Sequence, residues 1–471
     1  MSREKELIKN TGIITIGKVC TQMISFFLLP LYTAVFSTEE FGIVDLFNTI
    51  VAFLLPILTI QIDQALFRFL IDARENEEDK KRLISSAFIL TFIGIVLYGV
   101  IFAIVAPLIS NQYKYFLLIN VLANILSTLM LQVARGLGNN KEYSIGSFIV
   151  AAFTVILNVL FIVVLKLGVS GMFLSLFIAN MVAAIYLTLS KKTYRYISFN
   201  HLDTKLLKAM CKYSLALIPN AISWWVINVS DRAIISSMLS VAANGIYAAA
   251  NKFSGMYINA YNIFNIAWTE SAAVHINDKD KDEYFSKTIN TGFKVFACFA
   301  LIIIGVTPFV FPLLINEKFG EAYNQIPLLM LSSLFNVGVG LVSVIYVAKK
   351  RSFDISKTSF LAAVINIVVN VLLIKKIGLY AASISTIVAY ASMFIYRTID
   401  CRKYVKFKLD FKMIMALIVA FVLTFIMYYI NITWLNIIML VGVVAFTITF
   451  NKNSFKSIAK ILKRKFSKGE N

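Results

Sequence analysis

The stretch that decides the fold covers residues 213–270 and reads YSLALIPNAISWWVINVSDRAIISSMLSVAANGIYAAANKFSGMYINAYNIFNIAWTE. Most of these residues are apolar enough to lie in a bilayer, yet the stretch also carries Asp231, Arg232, Lys252 and Glu270. Charged side chains inside membrane segments are costly, and they usually face a partner or a water-filled cavity. The stretch therefore predicts membrane helices whose charges have a structural or functional task.

The composition of the whole chain is typical of a polytopic membrane protein. Of its 471 residues 59% are hydrophobic, and the mean hydropathy is +0.79, whereas soluble proteins are about 45–50% apolar. The apolar runs are continuous and do not alternate, which favours helices over a transmembrane β-barrel. The first run lacks a small-residue cleavage pattern, so we expect a retained helix and not a signal peptide.

The lengths of the apolar runs predict the number of membrane crossings. A helix needs about 20 mostly apolar residues to cross a bilayer. The fold class is therefore predicted to be an all-α polytopic membrane protein with about fourteen transmembrane helices, at residues 11–36, 42–70, 83–110, 113–137, 143–165, 168–190, 213–240, 245–273, 288–315, 325–348, 358–375, 377–396, 412–430 and 432–450.

The distribution of Lys and Arg predicts the orientation. With the N-terminus in the cytoplasm, the cytoplasmic loops and the tail hold 35 basic residues and the opposite side holds 5. Cytoplasmic loops ordinarily carry such an excess, so both termini are predicted to be cytoplasmic. These loops also explain the net charge of +20, and nucleic acid is not expected as a partner.

Short internal matches indicate a duplication. Asn158-Val-Leu-Phe-Ile followed by Gly168 resembles Asn370-Val-Leu-Leu-Ile followed by Gly378. We predict two six-helix lobes, at 1–196 and 197–410, then helices 13 and 14 at 411–450 and a basic cytoplasmic tail at 451–471. Because six is even, both lobes enter the membrane with the same orientation. This predicts a pseudo-twofold axis along the membrane normal, a central cavity and alternating access.

The tail has two interpretations. Apolar residues fall near one face of a helical projection and lysines on the other: Phe455, Ile458, Ile461, Leu462 and Phe466 form the apolar face. This pattern is typical of a helix on anionic inner-leaflet lipids. A disordered basic tail fits the same composition.

The charges inside the apolar segments concentrate in helices 1, 2, 7 and 8, which are the leading helix pairs of the two lobes. The basic ones are Lys18, Arg68, Arg232 and Lys252. Arg and Lys are the usual partners of phosphate. We therefore expect a cationic cavity that binds an anionic substrate.

The acidic residues of these segments allow two interpretations. Asp63, Asp231 and Glu270 are candidates for H⁺ or Na⁺ coupling or for structural anchors. Because neighbours on a helix point about 100° apart, Asp231 and Arg232 need not pair with each other. A competing interpretation is that charges near helix ends extend to the headgroups, which we expect of Asp45 and Lys294 and leave open for Arg68, Glu270 and Lys18.

The aromatic residues of the same region also allow two interpretations. Trp224, Trp225 and Trp268 could stack on sugar rings, or they could belong to the aromatic belts at the membrane interfaces.

Enzymatic chemistry is not predicted. The four cysteines and two histidines have no metal-ligand spacing. No nucleotide-binding loop or nucleophile motif is present, so we expect no cofactor, no metal and no catalytic residue.

Stretches along nearly the whole chain resemble a known family. Residues 9–47, KNTGIITIGKVCTQMISFFLLPLYTAVFSTEEFGIVDLF, resemble the first two helices of Wzx-type oligosaccharide flippases. The run Pro219…Trp224-Trp225…Ser230-Asp231-Arg232…Asn244-Gly-Ile-Tyr247…Lys252 is similar to that family's pattern in helices 7 and 8, and Ala267-Trp268 matches its later aromatic position. This family is the polysaccharide transporter branch of the superfamily that also holds MATE exporters and the lipid II flippase.

The resemblance implies a function and a location. It implies transfer of an undecaprenyl-diphosphate-linked oligosaccharide from the inner to the outer leaflet of a bacterial cytoplasmic membrane, for O-antigen or capsule-type polysaccharide, with a polysaccharide polymerase as a candidate partner. It also implies that Lys18, Arg68, Arg232 and Lys252 line the cavity. Lys18 stands where an arginine is expected, so a bidentate phosphate contact is not predicted there.

Two other functions remain open at this stage. A cation-coupled MATE-like multidrug exporter would need an acid-dominated cavity and only twelve helices. A scramblase or a non-transporting scaffold of a polysaccharide assembly complex would fit the basic loops but would not need charges inside the membrane.

Overall fold

The computed structural model describes residues 26, 28–190, 192–197, 203–349 and 351–452, except for the side chains of Asn220, Ser223, Trp224, Ile227, Asn228 and Ser352. Within these ranges the chain forms sixteen α-helices and no β-strand. In chain order they are α1 Leu29–Val35, α2 Thr38–Leu58, α3 Ile62–Asp72, α4 Glu77–Val105, α5 Lys114–Gly136, α6 Asn140–Asn158, α7 Gly168–Ser190, α8 Thr204–Leu215, α9 Ile218–Met238, α10 Val241–His275, α11 Lys281–Leu314, α12 Ala322–Ala348, α13 Ser352–Ile377, α14 Tyr380–Cys401, α15 Phe411–Ile430 and α16 Thr433–Phe450.

The helices confirm the predicted class of all-α polytopic membrane protein. Ten of the described helices are long and apolar enough to cross a bilayer by length and composition. Most of the first predicted span, residues 11–36, lies outside the described residues. The predicted cytoplasmic location of both termini stays a prediction.

The turn before α2 shows how local sequence starts a helix. The Ser37 hydroxyl accepts a hydrogen bond from the Glu40 backbone N–H at 3.1 Å, and the Glu40 carboxylate accepts one from the Ser37 N–H at 2.8 Å. This reciprocal capping satisfies two backbone donors that a helix start leaves without partners. It ends α1 and begins α2 within three residues.

The prediction of one continuous helix at 42–70 is wrong, because the chain breaks between α2 and α3. Ile60 and Gln61 have φ of 51° and 56°, a left-handed conformation that disfavours L-residues with side chains. Pro56 has no N–H to donate, which weakens the last turn of α2. The Thr59 hydroxyl accepts the Gln61 N–H at 3.2 Å and donates to the Leu55 carbonyl at 2.9 Å, so it holds the break together.

The predicted helix at 213–240 is also divided, into α8 and α9. Asp203 caps α8 by accepting the N–H groups of Leu206 and Lys205, and these bonds hold the pKa of its carboxyl below the usual value. Pro219 lies in the first turn of α9, where a missing N–H costs nothing. The proline therefore starts a new helix and does not bend a continuous one.

The chain divides into two compact units, Met1–Ala248 and Ala249–Asn471, and the division falls inside α10. The first unit contains a core cluster that includes Ile62, Leu66 and Leu70 from α3 and Leu129 and Val133 from α5. The predicted lobe boundary at residue 196 stays a prediction.

In the second unit, α14 extends beyond the predicted helix at 377–396 and includes Arg397, which that prediction left in the following loop. This side chain lies in α14 and is 2% exposed. It donates hydrogen bonds to the hydroxyls of Thr358, Ser343 and Ser359 and to the Ile355 carbonyl, at 2.5–3.0 Å. A buried guanidinium needs its donors satisfied, and here the partners tie α14 to α12 and α13.

Candidate functional site

A half-buried ion pair joins the helices α2 and α9 in the first unit. The Arg232 Nε atom lies 2.7 Å from the Asp45 Oδ2 atom, and the two side chains are 19% and 16% exposed. Charged side chains with so little exposure to solvent need an opposite charge close by. The expectation that Asp45 extends to the headgroups is therefore wrong, since it holds Arg232 of another helix.

The first turns of α10 complete this cluster. The Asn244 amide donates to the Gly42 carbonyl at 3.2 Å and to Asp45 at 3.4 Å. A Cβ on Gly245 would lie 1.9 Å from the Thr38 carbonyl oxygen, and one on Gly42 would lie 2.0 Å from the Val241 carbonyl oxygen. The backbones of α2 and α10 thus approach so closely that only glycine fits at either position.

Asp231 and Arg232 bind different partners. The Tyr247 hydroxyl donates to Asp231 Oδ2 at 3.2 Å, and Asp231 is 4% exposed. Consecutive residues on a helix point about 100° apart, which explains why the carboxylate faces α10 while the guanidinium faces α2. This cluster of Asp45, Asp231, Arg232, Asn244 and Tyr247 is called the polar cluster below.

The other predicted cationic residues lie in different surroundings. Arg68 pairs with Asp72 one turn along α3 at 2.8 Å, and its side chain is 48% exposed. Lys252 lies half-buried in α10. Lys18 lies outside the described residues. Of these residues, the structure shows Arg232 in the polar cluster and Arg68 paired outside it.

Trp268 and Glu270, predicted for sugar stacking and for coupling, lie in the second unit. Trp268 is 3% exposed and donates its indole N–H to the Leu341 carbonyl at 3.0 Å, so its ring is packed inside the protein. Glu270 is exposed in the last turns of α10, which is typical of a residue near the membrane boundary.

The two tryptophans of α9 differ in what the structure describes. The Trp225 indole N–H donates to the Thr49 carbonyl at 3.1 Å, and its ring lies 4.4 Å from that of Phe53. Trp225 therefore fastens α9 to α2 beside the Asp45–Arg232 pair. The side chain of Trp224 lies outside the described part of the chain.

Asp63 lines a cavity of about 360 Å³ in the first unit, at the break between α2 and α3. It is 8% exposed and accepts a hydrogen bond from the Gln64 amide at 2.7 Å. Thr59 and Thr91 also line this cavity, and the buried Thr91 hydroxyl makes no hydrogen bond within the described residues. A carboxylate with neighbouring hydroxyls is a donor set that suits Na⁺ or a proton.

The sequence pattern missed the partners of these charges. The sequence did not predict that Asp45 would bind Arg232, or that Asn244 would bind Asp45. The signal that was available is that Asn244-Gly245 begins the second half of the motif that resembles the flippase family. Among the described residues, no group of three or more His, Cys, Asp or Glu lies close enough to hold a metal ion.

Solved structures with a similar fold are membrane transporters. An inward-facing multidrug resistance MATE family transporter of the MOP superfamily superimposes with a TM-score of 0.66 at 13% identity, over 83% of this chain and 98% of that chain. The lipid II flippase MurJ in an inward closed conformation gives 0.65 at 16% identity, over 94% and 99%. A variant of the Vibrio cholerae MATE transporter VcmN gives 0.60 at 13% identity, over 86% and 98%.

These matches define the class: a multi-pass membrane protein with the helical fold of the MATE and MurJ transporters. The chain belongs to the family of polysaccharide biosynthesis proteins, because that family's model matches residues 7–269, more than half of the sequence. The predicted family is thereby confirmed. No curated protein matches the sequence.

Proposed function

We propose that this protein is a flippase that moves a polyprenyl-diphosphate-linked oligosaccharide from the inner to the outer leaflet of the bacterial cytoplasmic membrane for surface polysaccharide assembly, with undecaprenol as the carrier. The observation that carries the proposal is the family match over residues 7–269. A lipid-linked precursor is the form in which a membrane transporter would serve polysaccharide synthesis.

The extent of the structural similarity favours a flippase over a drug exporter. The MurJ match leaves 6% of this chain uncovered, about 28 residues, whereas residues 411–471 number 61. The match with the lipid II flippase must therefore include part of the region that holds α15 and α16. The MATE matches leave 14–17% of this chain uncovered. This share is larger than residues 411–471, so those matches can omit α15 and α16 entirely.

The driving force follows from the charge of the substrate. An anion that leaves a negative-inside cell gains about 2.3 kcal/mol per charge for each 100 mV of membrane potential. We propose that Arg232, Lys252, Arg68 and Lys18 are candidate contacts for the diphosphate, each to be tested by itself. Asp63, in the cavity beside the break between α2 and α3, is the candidate for H⁺ or Na⁺ coupling.

Gene deletion tests the function. We expect loss of a surface polysaccharide and accumulation of its lipid-linked repeat unit on the inner leaflet. Complementation with wild-type protein should restore the polysaccharide. Complementation with Lys252→Ala should restore less than Lys357→Ala, which removes an exposed lysine from the first turns of α13. A deletion strain with normal polysaccharide and no second flippase gene would refute the proposal.

The second candidate function is a cation-coupled exporter of MATE type. The TM-score of 0.66 with a multidrug resistance transporter and the buried carboxylate of Asp63 favour it. It predicts that the deletion strain becomes sensitive to cationic dyes while its lipid-linked precursors stay at wild-type levels.

A further inference from the structure

The segment between α14 and α15 is fastened along the first turns of α11 in the second unit. Three backbone N–H groups of this extended segment donate to side chains one helical turn apart: Lys406 to Asp282 at 2.9 Å, Lys408 to Ser286 at 2.9 Å and Asp410 to Asn290 at 3.0 Å. Two extended residues advance about 6.6 Å and four helical residues about 6 Å. The advance along the extended segment matches the advance along the helix, so the segment keeps a fixed register on α11.

A basic pocket lies at the end of this segment. Its volume is about 390 Å³, and it is lined by Lys287 and Lys294 of α11 and by Lys412 of α15. Among the described lining residues Asp410 is the one carboxylate, and it caps α15 by accepting the Met413 N–H at 3.1 Å. In the described residues, none of the three ammonium groups has a carboxylate within ion-pair distance.

The pocket lies beside the ends of two helices that are long enough to cross a bilayer, where lipid headgroups are expected. The helices α15 and α16 have 20 and 18 residues, which is just long enough to cross a bilayer. Lys412 is the second residue of α15, and the Lys294 Nζ atom lies 5.6 Å from the ring of Phe450, the last residue of α16. The loops at this end of the helices are those that the Lys and Arg distribution predicts to be cytoplasmic.

An apolar cavity of about 350 Å³ adjoins the basic pocket. Met413 lines both of them. From there the apolar cavity extends beside α15, where Leu417, Phe421 and Phe425 line it. A positively charged pocket that continues into an apolar groove matches a ligand with an anionic head and a hydrocarbon chain.

We propose that this site binds an anionic phospholipid of the inner leaflet, with its phosphate between Lys287, Lys294 and Lys412 and an acyl chain beside Met413 and Phe421. Basic pockets between transmembrane helices at the cytoplasmic surface are suited to such headgroups. The chain's own tail is an unsuitable occupant, because residues 453–471 carry six Lys and Arg and one Glu. Like charges would repel it from the pocket.

Native mass spectrometry of the full chain, purified in detergent and titrated with dioleoyl-phosphatidylglycerol, tests the site. The variant is the triple substitution Lys287→Gln, Lys294→Gln and Lys412→Gln. Each lysine near an anionic lipid contributes about 1 kcal/mol, roughly fivefold in affinity. We expect the triple variant to bind this lipid at least tenfold more weakly and dioleoyl-phosphatidylcholine unchanged.

A matched control removes the same charge elsewhere. Lys205, Lys279 and Lys357 are exposed lysines of the predicted cytoplasmic side that do not line the pocket, and their triple substitution by Gln should change binding by less than twofold. Substitution of the three pocket lysines by Arg should retain binding, which separates charge from misfolding. Equal loss in the control, or loss in the Arg variant with unchanged thermal unfolding, would overturn the proposal.

Two competitors identify the source of the phosphate. Inorganic phosphate at roughly 10 mM should not displace phosphatidylglycerol, because phosphate has no acyl chain to occupy the apolar cavity. Undecaprenyl diphosphate should bind the wild type and the Gln variant equally. Displacement by free phosphate would assign the pocket to a soluble anion. Loss of undecaprenyl diphosphate binding in the Gln variant would assign it to the carrier lipid. Either result overturns the phospholipid proposal and leaves the proposed flippase function unchanged.

Discussion

The Asp45–Arg232 pair should contribute more to stability than an exposed pair of the same length. Two unit charges about 4 Å apart interact by about 4 kcal/mol at an effective dielectric constant of 20. Breaking a fully buried pair costs about 3–5 kcal/mol, because the remaining charge loses its partner. The side chains of this pair are 19% and 16% exposed, and solvent screening reduces the energy of their interaction. We therefore expect Asp45→Asn or Arg232→Gln to lower the free energy of unfolding by about 2–3 kcal/mol.

A double-mutant cycle isolates the interaction energy between Asp45 and Arg232. The free energy of unfolding is measured by titration with sodium dodecyl sulfate for the wild type, both single variants and the double variant. The double variant should cost less than the sum of the singles, with a coupling of about 1.5 kcal/mol or more. The matched control is the exposed pair Arg68–Asp72, at 2.8 Å, where coupling should stay below about 0.5 kcal/mol. Additive effects for Asp45 and Arg232, or equal coupling in the two cycles, would refute the reasoning.

The remaining predictions concern single positions. Gly245→Ala should lower the thermal unfolding temperature, because its Cβ would meet the Thr38 carbonyl, whereas Gly255→Ala on the same helix meets no atom within 4 Å and should be neutral or slightly stabilising. Asp63→Asn should remove any dependence of transport on a Na⁺ or pH gradient in proteoliposomes, and an unchanged dependence would exclude Asp63 from coupling. Arg397→Lys keeps the charge but loses the planar donor geometry, so we expect a loss of about 1–3 kcal/mol in unfolding free energy.

Much of the helical fold could be predicted from hydropathy and chain length, because a bilayer demands long apolar helices. The break between α2 and α3 could not. Thr59, Ile60 and Gln61 include no glycine, and the left-handed conformation of Ile60 depends on packing that a hydropathy profile does not contain. Pro56 was the available local signal, and by itself proline predicts a bend as readily as a break.

The charges in membrane segments could be found in the sequence, but their partners could not. Asp45 and Arg232 are separated by 187 positions, and nothing in the helical period of either helix indicates the other. Arg397 looked like a loop residue because it stands at the end of an apolar run, yet α14 continues to Cys401. Its hydroxyl partners on α12 and α13 satisfy it without a carboxylate.

Arg232 can serve as a tie between helices or as a phosphate ligand, and a substitution of Arg232 alone does not separate these roles. Asp45→Asn separates them, because it removes the carboxylate and leaves the guanidinium in place. If Arg232 acts only as a tie, Asp45→Asn and Arg232→Gln should impair polysaccharide export alike. If the diphosphate binds Arg232, Asp45→Asn should bind the lipid-linked substrate as tightly as the wild type or more tightly, because an acidic competitor for the guanidinium is gone, while Arg232→Gln should bind it more weakly. Equal weakening of substrate binding by both variants would exclude the phosphate role of Arg232.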